Sequence, residues 1–311
     1  MSFTGEVKNE IINIETIETE KISELSAIIH NSIILEDEIK ITSENNAVIR
    51  HIFSLIKSVY HVTPKITVRR GYNYNKNYIY ILEIHNKYDE ILKDLGIKEN
   101  NNILVIPKQY IIDDESLLRS YIKGVFIMCG SVNDPKKSRY HLEFLVDNEE
   151  YGKFLVKILN KFDLNSKILK RDNKYMVYIK EAEKIGDFLR IINATRCLLY
   201  YEDIRIYRDH KNMTNRLNNC EQANVDKIIN TATKQVKDIE TIIEAGGLEL
   251  LDEKEQVVAK YRLKYKDASL LELSEIISLE TNQPLTKSGV NHRMKKITLL
   301  ANRIREKENY F

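Results

Sequence analysis

The residue types best suited to chemistry lie close together in residues 281–305. This segment contains six lysines and arginines and no aspartate or glutamate, whereas the whole chain has a net charge of only +2. The polar positions on one side of a predicted helix are Lys287, Ser288, Asn291, His292, Lys295 and Lys296. Lysine can bind phosphates or guanine edges, and asparagine can pair bidentately with adenine. The segment therefore predicts a helix that binds double-stranded DNA, and the alternative interpretation is an ordinary solvated basic helix.

Two short amphipathic helices separated by a turn would position these side chains. Residues 270–279 predict the first helix, with a capping box made by Ser269 and Glu272. The second helix begins after Pro284, with Thr286 as its predicted N-cap. Its expected inward-facing residues, spaced at i, i+4 and i+7, are Val290, Met294 and Ile297. This arrangement is typical of a helix-turn-helix whose second helix reads DNA.

Upstream of these helices one order of elements occurs twice: helix, strand, helix, strand, strand, helix. In the first copy the elements are predicted over residues 22–35, 37–43, 45–60, 65–70, 77–84 and 86–95. In the second copy they are predicted over residues 115–129, 139–146, 149–162, 166–171, 174–180 and 181–194. The repeat predicts a duplicated α+β domain with two lobes.

Small residues in the first helix of each copy predict that these two helices pack together at the centre of the domain. Gly124 lies mid-helix in the second copy, and Ser26, Ala27 and Ser32 occupy similar places in the first. An ordinary pair of core helices is compatible with the same pattern.

The chain is predicted to contain two domains joined by a linker. Residues 1–209 would form the α+β domain. Residues 210–222 are polar, rich in asparagine and without a hydrophobic period, which is typical of a linker. Beyond them all periodicity is helical, so residues 223–311 predict an all-helical domain.

Composition excludes several functional classes. No run of about 18 apolar residues occurs, so no membrane span is expected, and the N-terminus does not look like a signal peptide. We therefore expect a cytoplasmic protein. The three cysteines are far apart and the seven histidines show no ligand spacing, so neither a metal site nor another cofactor is predicted.

Three sequence segments resemble the WhiA family of bacterial transcriptional regulators. They are YIKGVFIMCGSVNDPKKSRYHLEF at 121–144, SLLELSEI at 269–276 and LTKSGVNHRMKKI at 285–297. The resemblance extends over essentially the whole chain. It implies a domain similar to LAGLIDADG homing endonucleases, followed by a C-terminal helix-turn-helix domain. It also implies a nucleoid-associated, sequence-specific regulator of cell division or sporulation, with another transcription or division protein as a possible partner of the first domain.

The resemblance to the nucleases also implies that cleavage has been lost. In those enzymes each central helix ends in an acid that binds Mg²⁺, and Ser32 and Cys129 stand at these places here. A hydroxyl and a neutral thiol cannot replace the carboxylates that Mg²⁺ prefers, so neither catalysis nor a metal is expected. Asp134 and Glu143 lie nearby and leave open a nuclease with displaced acids.

Basic residues in and near the strands would make secondary DNA contacts, because in the nuclease fold the strands form a saddle that grips duplex DNA. They are Arg69, Arg70, Lys136, Lys137, Arg139 and Lys170. Ordinary solvated strand residues are the alternative. Residues 1–60 are rich in acids and are not expected to contact DNA. A nucleoid-associated division or chromosome-segregation factor with weak sequence preference stays open as an alternative function.

Overall fold

The computed structural model describes residues 2–70, 78–137 and 139–308. The chain divides into two compact units, Met1–Asp209 and His210–Phe311. The helices of the first unit are α1 (Phe3–Ile11), α2 (Glu18–His30), α3 (Asn46–Tyr60), α4 (Tyr88–Asp94), α5 (Glu115–Cys129), α6 (Glu149–Asn160) and α7 (Ala182–Ile191). Helix α8 (Thr195–Gly246) continues into the second unit, which also contains α9 (Glu253–Lys264), α10 (Leu270–Thr281) and α11 (Lys287–Glu308).

Each repeat forms an antiparallel sheet. The strands are β1 (Ile33–Ile34), β2 (Ile39–Ser43), β3 (Lys65–Arg70), β4 (Tyr78–Ile84), β5 (Lys98–Glu99), β6 (Asn102–Ile103), β7 (Gly130–Val132), β8 (Leu142–Val146), β9 (Lys167–Arg171) and β10 (Lys174–Ile179). The strand order is β1-β2-β4-β3 in the first repeat and β7-β8-β10-β9 in the second, while β5 pairs with β6. The predicted duplication is therefore confirmed. Position 77, the predicted start of β4, lies outside the described residues, and the sequence did not predict α1, β1 or β7.

Matching asparagine caps begin the second helix of each repeat. The Asn45 side chain accepts hydrogen bonds from Ala47 N and Val48 N at the start of α3. Asn148 does the same for the first amides of α6. Since a side-chain acceptor satisfies amides that have no partner inside a helix, these caps fix where each helix leaves its strand.

The two central helices, α2 and α5, cross closely because small residues face each other. A Cβ added at Gly124 would lie 2.5 Å from Glu24 O and 2.8 Å from the Ala27 Cβ. The predicted close packing is thus confirmed at Gly124 and Ala27. Ser26 instead donates a hydrogen bond to Leu95 O at 2.8 Å.

The segment predicted as a linker, residues 210–222, lies inside α8 and is therefore helical rather than irregular. Its polarity suggested a loop, but the sequence contains no glycine or proline between residues 195 and 245. Nothing intrinsic therefore ends the helix before Gly246, and Gly247 follows with φ 92°. The role of residues 210–222 as the connection between domains stays a prediction.

The second unit is helical around one apolar core. Its buried members come from the C-terminal part of α8, from the segment before α9, and from α9, α10 and α11: Ile239, Ile242, Leu251, Val258, Ala259, Leu273, Ile277, Val290, Met294, Ile297 and Ala301. The predicted inward stripe of α11 is confirmed, since Val290, Met294 and Ile297 are at most 2% exposed. No helix in the described ranges is long and apolar enough to span a membrane.

Candidate nucleic-acid interface

A short turn sets the start of α11. Asn282 ends α10 in the left-handed conformation with φ 53°, and the Ser278 hydroxyl accepts a hydrogen bond from Leu285 N at 2.9 Å. The Thr286 hydroxyl then accepts from Gly289 N at 3.2 Å, which confirms the predicted N-cap. The predicted capping box of α10 is present as well. These side-chain bonds fix where α11 begins relative to α10.

The polar residues predicted to bind DNA are brought together on the solvent side of α11. All six are exposed: Lys287, Ser288, Asn291, His292, Lys295 and Lys296. They follow the helix at intervals of three and four residues, opposite the buried stripe. The surface that they form is called the α11 face below, and its binding role stays a prediction.

One member of the α11 face already has a partner. Lys296 Nζ lies 3.2 Å from Glu255 Oε1, and the Glu255 side chain is only 10% exposed. Glu255 also belongs to the capping box of α9 with Asp252. Because a phosphate must compete with this carboxylate, Lys296 is less available to DNA than its neighbour Lys295.

Two other cations of the basic segment stabilise the fold instead. Arg305 lies 2.8 Å from Asp238 Oδ1, whose side chain is fully buried, and Thr298 donates to Asp238 Oδ2 at 2.8 Å. Arg293 donates to Lys254 O at 3.4 Å. Asp238 was not predicted as a partner from the sequence. A lone acid among apolar positions of α8 is the feature that could have indicated it, because a buried carboxylate requires a partner.

Strand register divides the basic residues predicted on the strands between the two faces of each sheet. Arg70 shares a face of the first sheet with Val68 and Ile66. Ile66 of β3 lies opposite Leu82 of β4, and Leu82 is fully buried. Successive side chains of a strand point to opposite faces, so Arg69 lies on the outer face and Arg70 on the helix side. Arg70 is nevertheless exposed, and its contact with DNA stays a prediction.

The same alternation of faces applies to strand β9 of the second repeat. Lys170 lies on the same face of β9 as Ile168, because residues two positions apart in a strand point to the same side. A Cβ added at Gly152 of α6 would lie 2.5 Å from Ile168 Cδ1, so α6 covers this face. Lys170 therefore lies on the helix side, where it is exposed, and its contact with DNA stays a prediction. Lys167 and Arg171 are the basic residues of β9 on the outer face.

The remaining basic residues lie in the loop between β7 and β8. Lys136, Lys137 and Arg139 are exposed. Arg208 of α8 donates to Pro135 O at 2.7 Å and to Lys137 O at 2.6 Å. These bonds hold the loop against α8, so its lysines are presented from a fixed backbone. Their contact with DNA stays a prediction.

The ends of the central helices carry no ionised acid at the predicted positions. Cys129 Sγ lies 3.7 Å from Asn31 Oδ1 and 3.2 Å from Val125 O. The Ser32 hydroxyl turns back to Ile28 O at 2.8 Å. The structure thus brings Asn31, one residue before the predicted Ser32, against Cys129.

Burial keeps the neighbouring titratable groups uncharged near neutral pH. It raises the pKa of the Cys129 thiol to about 12. It lowers the pKa of His30, which stacks on Tyr151, to about 4. Because Mg²⁺ prefers charged oxygen ligands, this pair of helix ends is poorly suited to hold it. Of the displaced acids, Glu143 lies 3.0 Å from His141 Nε2 and 3.8 Å from Arg171.

A buried ionic cluster at the crossing of α2 and α5 was also missed by the sequence analysis. Glu24 is fully buried, and its carboxylate lies 2.8 Å from His51 Nε2 and 2.6 Å from Lys123 Nζ. Burial alone would raise the pKa of Glu24, but the hydrogen bond from His51 and the charge of Lys123 outweigh burial and lower it. The carboxylate is therefore ionised and links the two central helices.

Together, the duplicated α+β unit and the exposed basic helix of the second unit define a LAGLIDADG-like domain joined to a helix-turn-helix domain. Three family models match in this order: a WhiA N-terminal LAGLIDADG-like domain over residues 18–98, a WhiA LAGLIDADG-like domain over 118–211, and a WhiA C-terminal helix-turn-helix domain over 214–301. The chain belongs to the WhiA family.

Similarity to individual WhiA proteins extends over the full length. The chain is 41% identical to the probable cell division protein WhiA of Staphylococcus aureus strains JH9 and Newman, over 99% of this chain and 99% of each relative. The crystal structure of full-length WhiA from Thermatoga maritima matches with a TM-score of 0.58 and 28% identity, covering 97% of this chain and 99% of that one.

Proposed function

We propose that this chain is a sequence-specific DNA-binding transcriptional regulator that acts in bacterial cell division or sporulation and does not cleave DNA. The observation that carries this proposal is the α11 face. It combines exposed cations with exposed Asn291, and residues 281–305 contain no acid that would repel phosphates. The name of the Staphylococcus aureus relatives supports the role in cell division.

Base reading is assigned to the middle of the α11 face. Asn291 would pair with adenine, and Lys287 and Lys295 lie one turn before and one turn after it. Lys287 and Ser288 lie at the first turn, where backbone amides and the helix dipole favour a phosphate. His292 and Lys296 would contact the backbone beside them.

The absence of cleavage rests on the chemistry at the helix ends. Asn31, Ser32 and Cys129 offer neutral oxygen and sulfur atoms, and His30 is uncharged near neutral pH. We assign the first unit to weaker DNA contact through outer-face cations such as Arg69, and to binding of another transcription or division protein. Both assignments agree with a location at the nucleoid in the cytoplasm.

Selection of bound genomic fragments by the full chain in Mg²⁺ buffer tests this function. We expect intact DNA and a shared sequence motif, and we expect the motif to disappear with the Asn291→Ala/Lys295→Ala variant. Enrichment without a motif would instead favour a general nucleoid-associated factor, which also predicts a small ratio of specific to non-specific affinity. Cut fragments would favour a nuclease that uses displaced acids.

A further inference from the structure

The first unit contains an open cleft that the DNA-binding role does not use. It has a volume of about 1000 Å³ and lies between the end of α1, the segment before α2 and one side of α3. Its lining includes amide and hydroxyl groups together with Lys21, Arg50 and His51, and Glu15 is the acid among its lining residues. This size is sufficient for a small organic ligand.

The charge in this cleft is opposite to that of the surrounding sequence. Residues 1–60 contain ten acids and five lysines and arginines. Lys40 is paired with Glu38 and Glu83. Within the described part of the chain Lys21 and Arg50 form no ion pair, and both line the cleft. Unpaired cations therefore converge on one concave site in an otherwise acidic region.

The position of His51 in the lining of the cleft is fixed by the buried ionic cluster. His51 lines the cleft while its Nε2 lies 2.8 Å from buried Glu24, which fixes the imidazole ring. The second oxygen of Glu24 lies 2.6 Å from Lys123 Nζ. Because Lys123 already compensates the charge of Glu24, this carboxylate does not cancel the cations above it.

The lining of the cleft also contains apolar residues. Ile12, Ile14 and Leu55 belong to its lining, beside the polar groups. The arginine fork of Arg50 suits an oxyanion bidentately, and Lys21 adds a point charge. We propose that this cleft binds a phosphorylated small molecule, with its phosphate on Lys21 and Arg50 and its organic part against Ile12 and Ile14.

A small ligand fits this site better than a nucleic acid does. Residues 1–60 contain twice as many acids as lysines and arginines, and this net negative charge would repel a long polyanion, whereas a compact phosphate can enter between Lys21 and Arg50. Occupancy would also act on His51 and therefore on the Glu24–Lys123 link between the central helices. The site is thus positioned to report a metabolite to the centre of the first unit.

Isothermal titration of the full chain tests the proposal with three probes: ADP, pyrophosphate and citrate. We expect ADP or pyrophosphate to bind with a Kd below about 1 mM and citrate to bind much more weakly. Tighter binding of ADP would show that the organic part contacts the apolar lining residues, and equal binding of pyrophosphate would show recognition of the phosphate alone. Either result supports the site.

Matched charge variants locate the binding. Arg50→Gln is expected to weaken the better probe by about tenfold or more, and the Lys21→Gln/Arg50→Gln variant to abolish binding. Lys57→Gln is the control, because Lys57 is an exposed cation of the same helix that does not line the cleft. Binding of no phosphorylated probe, binding of citrate as tight as that of pyrophosphate, or an equal loss in Lys57→Gln would each overturn the proposal.

Discussion

The ends of the central helices and the α11 face differ in how exposed and how charged their polar residues are. At the helix ends, Cys129 and His30 are half-buried, and their shifted pKa values leave both uncharged near neutral pH. On the α11 face, Asn291 and Lys295 are exposed. Cleavage requires concentrated negative charge to hold a metal, whereas binding requires accessible positive charge and hydrogen-bonding groups. The difference indicates that the α11 face is suited to binding and that the ends of the central helices are suited to packing.

The largest expected effect concerns the buried ionic cluster at the crossing of α2 and α5. Lys123→Ala should lower the free energy of unfolding by about 3–5 kcal/mol, because it leaves the carboxylate of Glu24 buried without its cation. Urea unfolding of the full chain, followed by circular dichroism, measures the change. Lys57→Ala removes an exposed cation without an ion pair among the described residues and should cost no more than about 0.5 kcal/mol. Equal effects of both variants would contradict the structural role of the cluster.

The exposed side predicts losses of binding rather than of stability. Asn291→Ala should weaken specific DNA binding by about 1–3 kcal/mol at the adenine that it reads. Lys295→Ala should weaken binding by a similar amount if it reads a base, and uniformly across sequences if it binds phosphate. Fluorescence anisotropy with the selected motif and a scrambled duplex separates the two cases. Unchanged affinity of the double variant would remove the assignment of α11.

Neighbouring lysines provide a sharper version of that experiment. Lys296→Ala should reduce affinity less than Lys295→Ala, because Lys296 is already paired with Glu255 at 3.2 Å. Removing the acid by Glu255→Gln should free Lys296 and strengthen binding slightly, which the same anisotropy measurement detects. A larger loss for Lys296→Ala than for Lys295→Ala would show that DNA displaces this ion pair.

Local patterns predicted most of the fold, since periodicity and caps are encoded within a few residues. The predicted limits of β3 and α5, residues 65–70 and 115–129, match the structure. Short pairings such as β7 could not be found, because a three-residue strand shows no period and depends on its partner β8. Helix α8 was interrupted in the prediction because exposed polar residues resemble a loop when only hydrophobic spacing is considered.

The site was predicted unevenly for a related reason. The α11 face follows from one helix, so its exposure could be predicted from spacing alone. The faces of Arg69 and Arg70 depend on register with β4, and the cluster around Glu24 joins residues from three helices. Such long-range partners are fixed by the tertiary fold, and no short segment of sequence contains them.

Placing acids at the ends of the central helices tests whether these ends lack only the negative charge that Mg²⁺ binding requires. The Asn31→Asp/Cys129→Asp variant should become less stable without metal, since two buried carboxylates repel each other. If 10 mM Mg²⁺ binds with a Kd of about 1 mM, it should regain about 1.4 kcal/mol. Thermal unfolding with and without Mg²⁺ measures this difference. Wild type and Cys129→Asp should show no such gain, and a gain in wild type would contradict the loss of the metal site.

The smallest expected effect compares Arg69 with Arg70, two adjacent residues of β3 that point to opposite sides of the sheet. If the outer face contacts DNA, Arg69→Ala removes one phosphate contact. The salt dependence of log K should then fall by about 0.9, with roughly threefold weaker binding at moderate salt. Arg70→Ala changes the same charge on the helix side and should alter neither quantity.

Anisotropy titrations of both variants at several salt concentrations decide the comparison, because the two proteins have identical net charge. A change confined to Arg69→Ala would assign the outer face of the first sheet to DNA as a second, sequence-independent contact. Equal changes would show that only the total charge of the protein matters. No change in either variant would leave DNA binding to the α11 face and the outer face to a protein partner.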